Sequence, residues 1–275
     1  MRYKQTNNEP MKYKLIFLTV LMIVIYSCNK EKVQPISSFS LKGDTISTLK
    51  VGTLNEFSVA SNSINSDSVL WDLGDGRTSK EKDLLLSYNK SGTYTLKLIA
   101  KNNNGEFSES SKKIIVLDRV LKRIEIQSVY WDPTNTTQGW PITNSNVDIY
   151  FQIQLFTDST MNPFAIYPKC PVLYTSSIVK NISNNTIRDK NRIVLEPNLK
   201  VVIDKELVRQ PIGYLNKSYL FSVMAIDTNG KIYCLTSNAF IGTPFGFTED
   251  NVSDNIFTII GGATGTNYKL IGDFE

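Results

Sequence analysis

The chain has 275 residues, a formal net charge of +4 and no histidine. Four cations (Arg2, Lys4, Lys12, Lys14) against one acid (Glu9) fall within the first 27 residues, so the remainder is close to neutral and offers no basic face for nucleic acid. Lack of histidine removes Ser-His-Asp and Cys-His activation and every His-containing zinc site, and leaves carboxylates, Lys, Tyr or Ser-Lys chemistry for any enzyme.

Lys12 and Lys14 precede Leu15 to Ile25, an apolar run broken only by Thr19, which leads into Ile25-Tyr26-Ser27-Cys28. A basic segment followed by an apolar one of this size is a secretory signal, with Met11 as its start. The run is too short to cross a bilayer, which needs roughly 20 apolar residues. The four residues ending at Cys28 resemble the lipobox of bacterial lipoproteins. That resemblance implies cleavage before Cys28, lipidation of its thiol, and a protein tethered to the cell envelope, the outer membrane being the expected site. More than one acyl chain makes such an anchor lasting. Residues 28–35 then form a polar tether ending at Pro35.

Beyond the tether, apolar residues recur at period 2 between Gly, Asn and Asp clusters, and no window keeps a helical period. The expected fold is all-β, two tandem β-sandwiches over 36–118 and 119–275. In the first, Val69-Leu70-Trp71 enters a turn, Asp72-Leu73-Gly74-Asp75-Gly76, in which glycines and short acids tolerate tight backbone geometry. Tyr94, Leu96, Leu98 and Ala100 share one face of a strand that ends at Asn102-Asn103-Asn104-Gly105, and Lys113 to Leu117 closes the unit. Trp71 is its expected core anchor.

Trp71-Asp72-Leu73-Gly74-Asp75-Gly76, followed by Tyr88, Gly92 and Tyr94 and by Ile114 and Val116 in the last strand, resembles a PKD domain over about residues 34 to 118. Leu73 stands where the family usually has Phe, and Ser87 where many members have His. The resemblance implies an immunoglobulin-like sandwich that acts as an extracellular spacer or a protein- or glycan-contacting module, without catalysis. Asp72 and Asp75 read as turn-forming acids, with calcium ligation the alternative.

The second segment opens with a strand from Val120 to Trp131 that follows the first with almost no linker, so the two units should be held semi-rigidly. Val147, Ile149, Phe151, Ile153 and Leu155 form one face, Asp148, Tyr150, Gln152 and Gln154 the other; Tyr219 to Ala225 repeats the pattern before Asp227-Thr228-Asn229-Gly230, and Ile256 to Ile260 and Asn267 to Ile271 are closing strands. The run Asn146 to Phe151, with Val223 to Asp227 and Phe240-Ile241-Gly242, resembles a C2-like domain. That resemblance makes Asp132, Asp148 and Asp227 candidate calcium ligands, although three scattered acids fall short of the six to eight oxygens calcium prefers.

The long loop from Trp131 through Trp140 to Asn146 is the expected contact region, since indole faces stack on sugar rings. Trp131, Trp140 and Tyr150 are the candidate ligand-binding aromatics; the alternative is that the indoles plug the end of the sandwich. Cys170 and Cys234 read equally as a disulfide or as two buried free thiols. The functional expectation is a non-catalytic envelope lipoprotein that binds a glycan or an envelope protein, with an accessory role in polysaccharide capture as the alternative. A glycoside hydrolase built on two of Asp132, Asp148, Glu196 and Asp227 stands behind both.

Overall fold

The computed structural model describes residues 33–131, 146–156, 170–184, 186–208, 217–236, 245–263 and 265–275; Cys28 lies outside them. The fold is all-β. The first unit contains β1 (Phe39–Leu41), β2 (Thr48–Gly52), β3 (Phe57–Ser61), β4 (Ser68–Asp72), β5 (Thr78–Ser79), β6 (Asp83–Leu86), β7 (Gly92–Lys101) and β8 (Phe107–Leu117). They form two sheets, β1-β3-β6 and β2-β8-β7-β4-β5. Leu96, Leu98 and Ala100 are buried while Thr95 and Lys101 are exposed, the half-buried alternation expected of β7. Trp71 is fully buried, meets Phe39 edge-on at 5.1 Å, and donates its indole N–H to the Glu81 carbonyl at 2.7 Å.

The turn after β4 is set by its sequence. Asp72 Oδ1 accepts from the Gly74 N–H at 2.9 Å and Asp75 Oδ1 from the Arg77 N–H at 3.1 Å, as turn acids do. Gly74 has φ +77°, and a Cβ there would stand 2.6 Å from the Thr95 carbonyl oxygen. The Tyr88 hydroxyl donates to the Leu73 carbonyl at 2.7 Å, which pins the turn to the segment joining β6 and β7.

The second unit contains β9 (Arg119–Ser128), β10 (Val147–Phe156), β11 (Val172–Thr175), β12 (Val179–Ile182), β13 (Arg188–Leu195), β14 (Ser218–Ile226), β15 (Ile232–Cys234), β16 (Gly246–Asn251), β17 (Ile256–Ala263) and β18 (Thr266–Phe274). One sheet runs β13-β9-β18-β17-β16; the other runs β11-β10-β14-β15, with β12 also on β10. Val147, Ile149, Phe151 and Ile153 face the first sheet within one core that also holds Ile124, Ile126, Phe221, Phe257 and Leu270. Phe151 meets Tyr268 of the facing sheet edge-on at 5.2 Å.

Asp118 alone separates β8 from β9. Its N–H donates to the Glu275 carbonyl at 2.8 Å and it accepts from the Glu275 N–H at 3.0 Å, while the Thr53 N–H donates to Leu117 at 2.9 Å. Arg119 next to it is 0% exposed. Its Nε and Nη2 donate to the two oxygens of Asp250 at 2.7 and 2.8 Å, Nη1 donates to the Thr53 carbonyl at 2.7 Å, and Nη2 also donates to Asn55 Oδ1 at 2.8 Å. The guanidinium carbon lies 5.2 Å from the ring centre of Phe274 and 5.6 Å from that of Phe247. Thr53 and Asn55 belong to the first sandwich, Asp250 and both rings to the second, so one side chain fastens the two. Gly52 is the contact point of the backbones: a Cβ there would stand 2.6 Å from the Phe274 ring.

Burial opposes ionisation of Asp250, but hydrogen bonds and charge from Arg119, helped by Lys205, outweigh it and hold the carboxyl below its ordinary value of 3.8. The joint therefore contributes stability that is fully present above pH 3.8 and is lost as pH falls below it. Arg119→Leu, which strips Asp250 and the Thr53 carbonyl of their main donor, should lower stability by about 3 kcal/mol and split one calorimetric transition into two. Its deficit relative to the unmodified protein should shrink on acidification below 3.8.

Candidate recognition end of the C-terminal sandwich

β9 carries the chain from the joint to the far end of the second sandwich. There the end of β9, the start of β10 and the ends of β12 and β14 come together: Val147 pairs with Ile182, Asp148 with Ile226, and Ser128 with Asn267. The folded chain thus brings Trp131, Asp148 and Asp227 to one end. Asp132 and Trp140 lie outside the described residues, in 132–145, the stretch that joins two strands ending here.

The arrangement corrects several expectations drawn from the sequence. Trp131 is 0% exposed and belongs to the main core; its backbone is clamped by Asn184, whose Oδ1 accepts from the Trp131 N–H at 3.1 Å and whose Nδ2 donates to the Trp131 carbonyl at 2.7 Å. It is a plug, out of a ligand's reach. Tyr150 is also buried, on the outer face of its sheet with Met224 and Cys234.

Among the described residues of this end, Tyr130 is exposed, at 37%, because β9 carries a bulge. Ile126 pairs with Tyr268 and Ser128 with the adjacent Asn267, so Gln127 is an extra residue and the inward face changes parity. Unbroken alternation from Ile126 would have turned Tyr130 inward and Trp131 outward. The Tyr130 backbone is fixed on both sides, donating to Thr266 Oγ1 at 3.0 Å and accepting from it at 3.1 Å.

The two described acids serve the backbone. Asp148 Oδ1 accepts from the Asn181 N–H at 3.0 Å. Asp227 Oδ1 accepts from the N–H groups of Asn229 and Lys231 at 2.9 and 2.8 Å, and Oδ2 from the Tyr233 hydroxyl at 3.1 Å. Desolvation raises the Asp227 pKa, and these donors more than offset it, leaving the carboxyl below its ordinary range. Among the described residues no three acidic, cysteine or histidine side chains gather as a metal site; Asp132, the third candidate calcium ligand, lies outside them.

The disulfide is not formed: both thiols are free and buried. Cys234 pairs with Met224, whereas Cys170 packs on Phe156, which pairs with Ser218. Ser218 and Met224 are about 20 Å apart along β14 at about 3.3 Å per residue, well past the ~7 Å Cα limit for a bridge. Burial pushes both thiols above their ordinary pKa, so neither is primed as a nucleophile. A concavity at the joint is lined by Lys42, Asn55, Glu56, Lys205, Glu206 and Asp250; there Lys205 donates to both Asn55 and Asp250.

Residues 35–116 match the family model of the PKD domain, so the first sandwich is one. Collagenase ColQ1 of Bacillus cereus (strain Q1) is 41% identical over 108 residues, which cover 36% of this chain and 11% of that protein. Pre-pro-metalloprotease PrtV of Vibrio cholerae serotype O1 (strain M66-2) is 31% identical over 88 residues, 32% of this chain and 9% of that protein. The chain thus matches about a tenth of the length of these relatives. The solved PKD1 domain of Vibrio anguillarum Epp is 28% identical with a TM-score of 0.26, covering 31% of this chain and 96% of that domain.

Two outcomes check this description. Trp131→Ala should cost about 3–5 kcal/mol, as for other buried Trp truncations, read by denaturant unfolding. Cys170 and Cys234 should both alkylate in denaturant without any reductant, read as two adducts by mass.

Proposed function

We propose that the protein is a lipid-anchored component of the bacterial cell envelope, attached through Cys28 to the outer membrane, and that it binds a glycan at the far end of its C-terminal sandwich without turning it over. The PKD domain is the spacer. The observation that carries this reading is the joint: β8 runs into β9 across Asp118 alone and Arg119 locks the two units, so the end bearing the 132–145 loop is held away from the end where the tether joins. Tyr130 supplies a ring face for sugar stacking, with Trp140 of the 132–145 stretch as a second candidate; Asn146 Nδ2 donates to Asn181 Oδ1 at 2.7 Å, which leaves Asn181 Nδ2 and the Asn229 amide for hydroxyls. An acid catalyst for glycoside hydrolysis needs a raised pKa; that of Asp227 is lowered, so Asp227 is unsuited to that role.

A second reading follows from the PKD regions of collagenase ColQ1 and PrtV: the spacer itself contacts an extended protein. Immobilised envelope polysaccharides and gelatin, each probed with and without calcium, separate the two. In the glycan reading Tyr130→Ala keeps its fold by circular dichroism and loses binding about fivefold, roughly 1 kcal/mol. Gelatin binding unaffected by that change would instead place recognition on the PKD domain. Cys28→Ser should abolish both membrane fractionation and the acylated mass; a variant still on membranes at unchanged mass would rule out the anchor.

A further inference from the structure

The end of the PKD domain opposite the joint has its own surface chemistry. β7 ends there at Lys101 and β8 begins there at Phe107, whereas Gly92 and Val116 pair near the other end. The first described residues run into the same end: Ile36 and Ile64 exchange both backbone hydrogen bonds, at 3.0 and 3.1 Å. Asn102 Nδ2 donates to the Val33 carbonyl at 3.3 Å, and the Ser108 hydroxyl accepts from the Ser37 N–H at 2.6 Å.

Six large apolar side chains of residues 33–117 are exposed, and four of them belong to this end: Val33 (56%), Ile36 (54%), Ile64 (55%) and Phe107 (58%). Single exposed apolar residues are ordinary; four at one end of a small sandwich, with Ile46 and Leu85 elsewhere, need a covering phase. The sequence gives its distance. Val33 is five residues after Cys28, and an extended chain reaches at most about 3.6 Å per residue, or about 18 Å.

We propose that this end of the PKD domain rests in the interfacial zone of the lipid bilayer, with Val33, Ile36, Ile64 and Phe107 among the headgroups. The inference rests on the acylation of Cys28. A tether this short keeps the apolar end at high effective concentration over the lipid, so shallow insertion needs only the modest free energy of a few partly buried side chains. The domain then stands on the membrane with its far end outward, and spacing and orientation come from the same surface.

The test uses the full chain, acylated in cells and reconstituted in phosphatidylethanolamine–phosphatidylglycerol vesicles with or without brominated acyl chains. Phe107→Trp places an indole at this end, and Leu85→Trp places one on the flank of the same domain, where Leu85 is 68% exposed. The expected result is a blue shift and bromine quenching of the Phe107→Trp emission above the background of the native tryptophans, with no change for Leu85→Trp. Adding Val33→Ser, Ile36→Ser and Ile64→Ser should reduce that quenching. An acylated protein whose Phe107→Trp emission resembles that in water overturns the inference and leaves the anchor standing. Equal quenching at both positions also overturns it, since the domain would then lie flat. A protein without the acyl mass that fails to sediment with the vesicles removes the anchor and the inference together.

Discussion

A single buried guanidinium governs the architecture. Arg119 is removed from water, which is costly for a cation unless its donors are matched. Asp250 takes two of them, Thr53 takes another through its carbonyl, and Asn55 accepts from the second Nη2 proton. Asp250 shares the second sandwich with Arg119, and the remaining donors are matched only when docking brings the Thr53 carbonyl and Asn55 Oδ1 to them. A misaligned joint would leave those donors, packed against the rings of Phe247 and Phe274, without acceptors. Gly52 makes the docking sterically feasible, since any side chain there collides with Phe274. The expected semi-rigid connection thus has a physical basis stronger than a short linker: a hydrogen-bond set that is satisfied in one geometry.

Much of this was legible in the sequence. Turn acids, positive-φ glycines and the core tryptophan of the first unit act through local rules, so Trp71-Asp72-Leu73-Gly74-Asp75-Gly76 could be read without tertiary information. The inward faces of β7 and β10 followed from period 2 for the same reason. Arg119 gave no such signal: an arginine flanked by Asp118 and Val120 looks like a solvated boundary residue, and its acceptors are 64 to 131 positions away in the chain. The parallel pairing of β2 with β8 is equally non-local.

The aromatic residues at the far end show where period-2 reasoning fails. A bulge adds one residue to a strand and exchanges the faces of everything beyond it. β9 has two register shifts against β18, so Leu121, then Ile124 and Ile126, then Val129 and Trp131 reach the core in turn on changing parity. Trp131 therefore closes the sandwich and Tyr130 faces water, the reverse of what unbroken alternation gives. Tyr150 was misassigned for another reason. Its side of β10 carries a second apolar layer of Tyr150, Met224 and Cys234, which the polar neighbours Asp148 and Gln152 hide in the sequence.

The carboxylates bear on the chemistry this end can perform. An acid that accepts two backbone N–H bonds and a tyrosine hydroxyl, as Asp227 does, is stabilised as an anion and held in one rotamer, which shapes a loop and withholds a proton from any substrate. Asp148 is likewise committed to the backbone of Asn181. Asp148 and Asp227 are thus committed to shaping the turns of this end of the sandwich. A glycan-binding surface of the kind proposed would discriminate ligands by shape and hydroxyl pattern. It would gain from being held at a fixed height and angle, because groups ordered before binding lose less entropy, and the Arg119 joint fixes the sandwich that carries it.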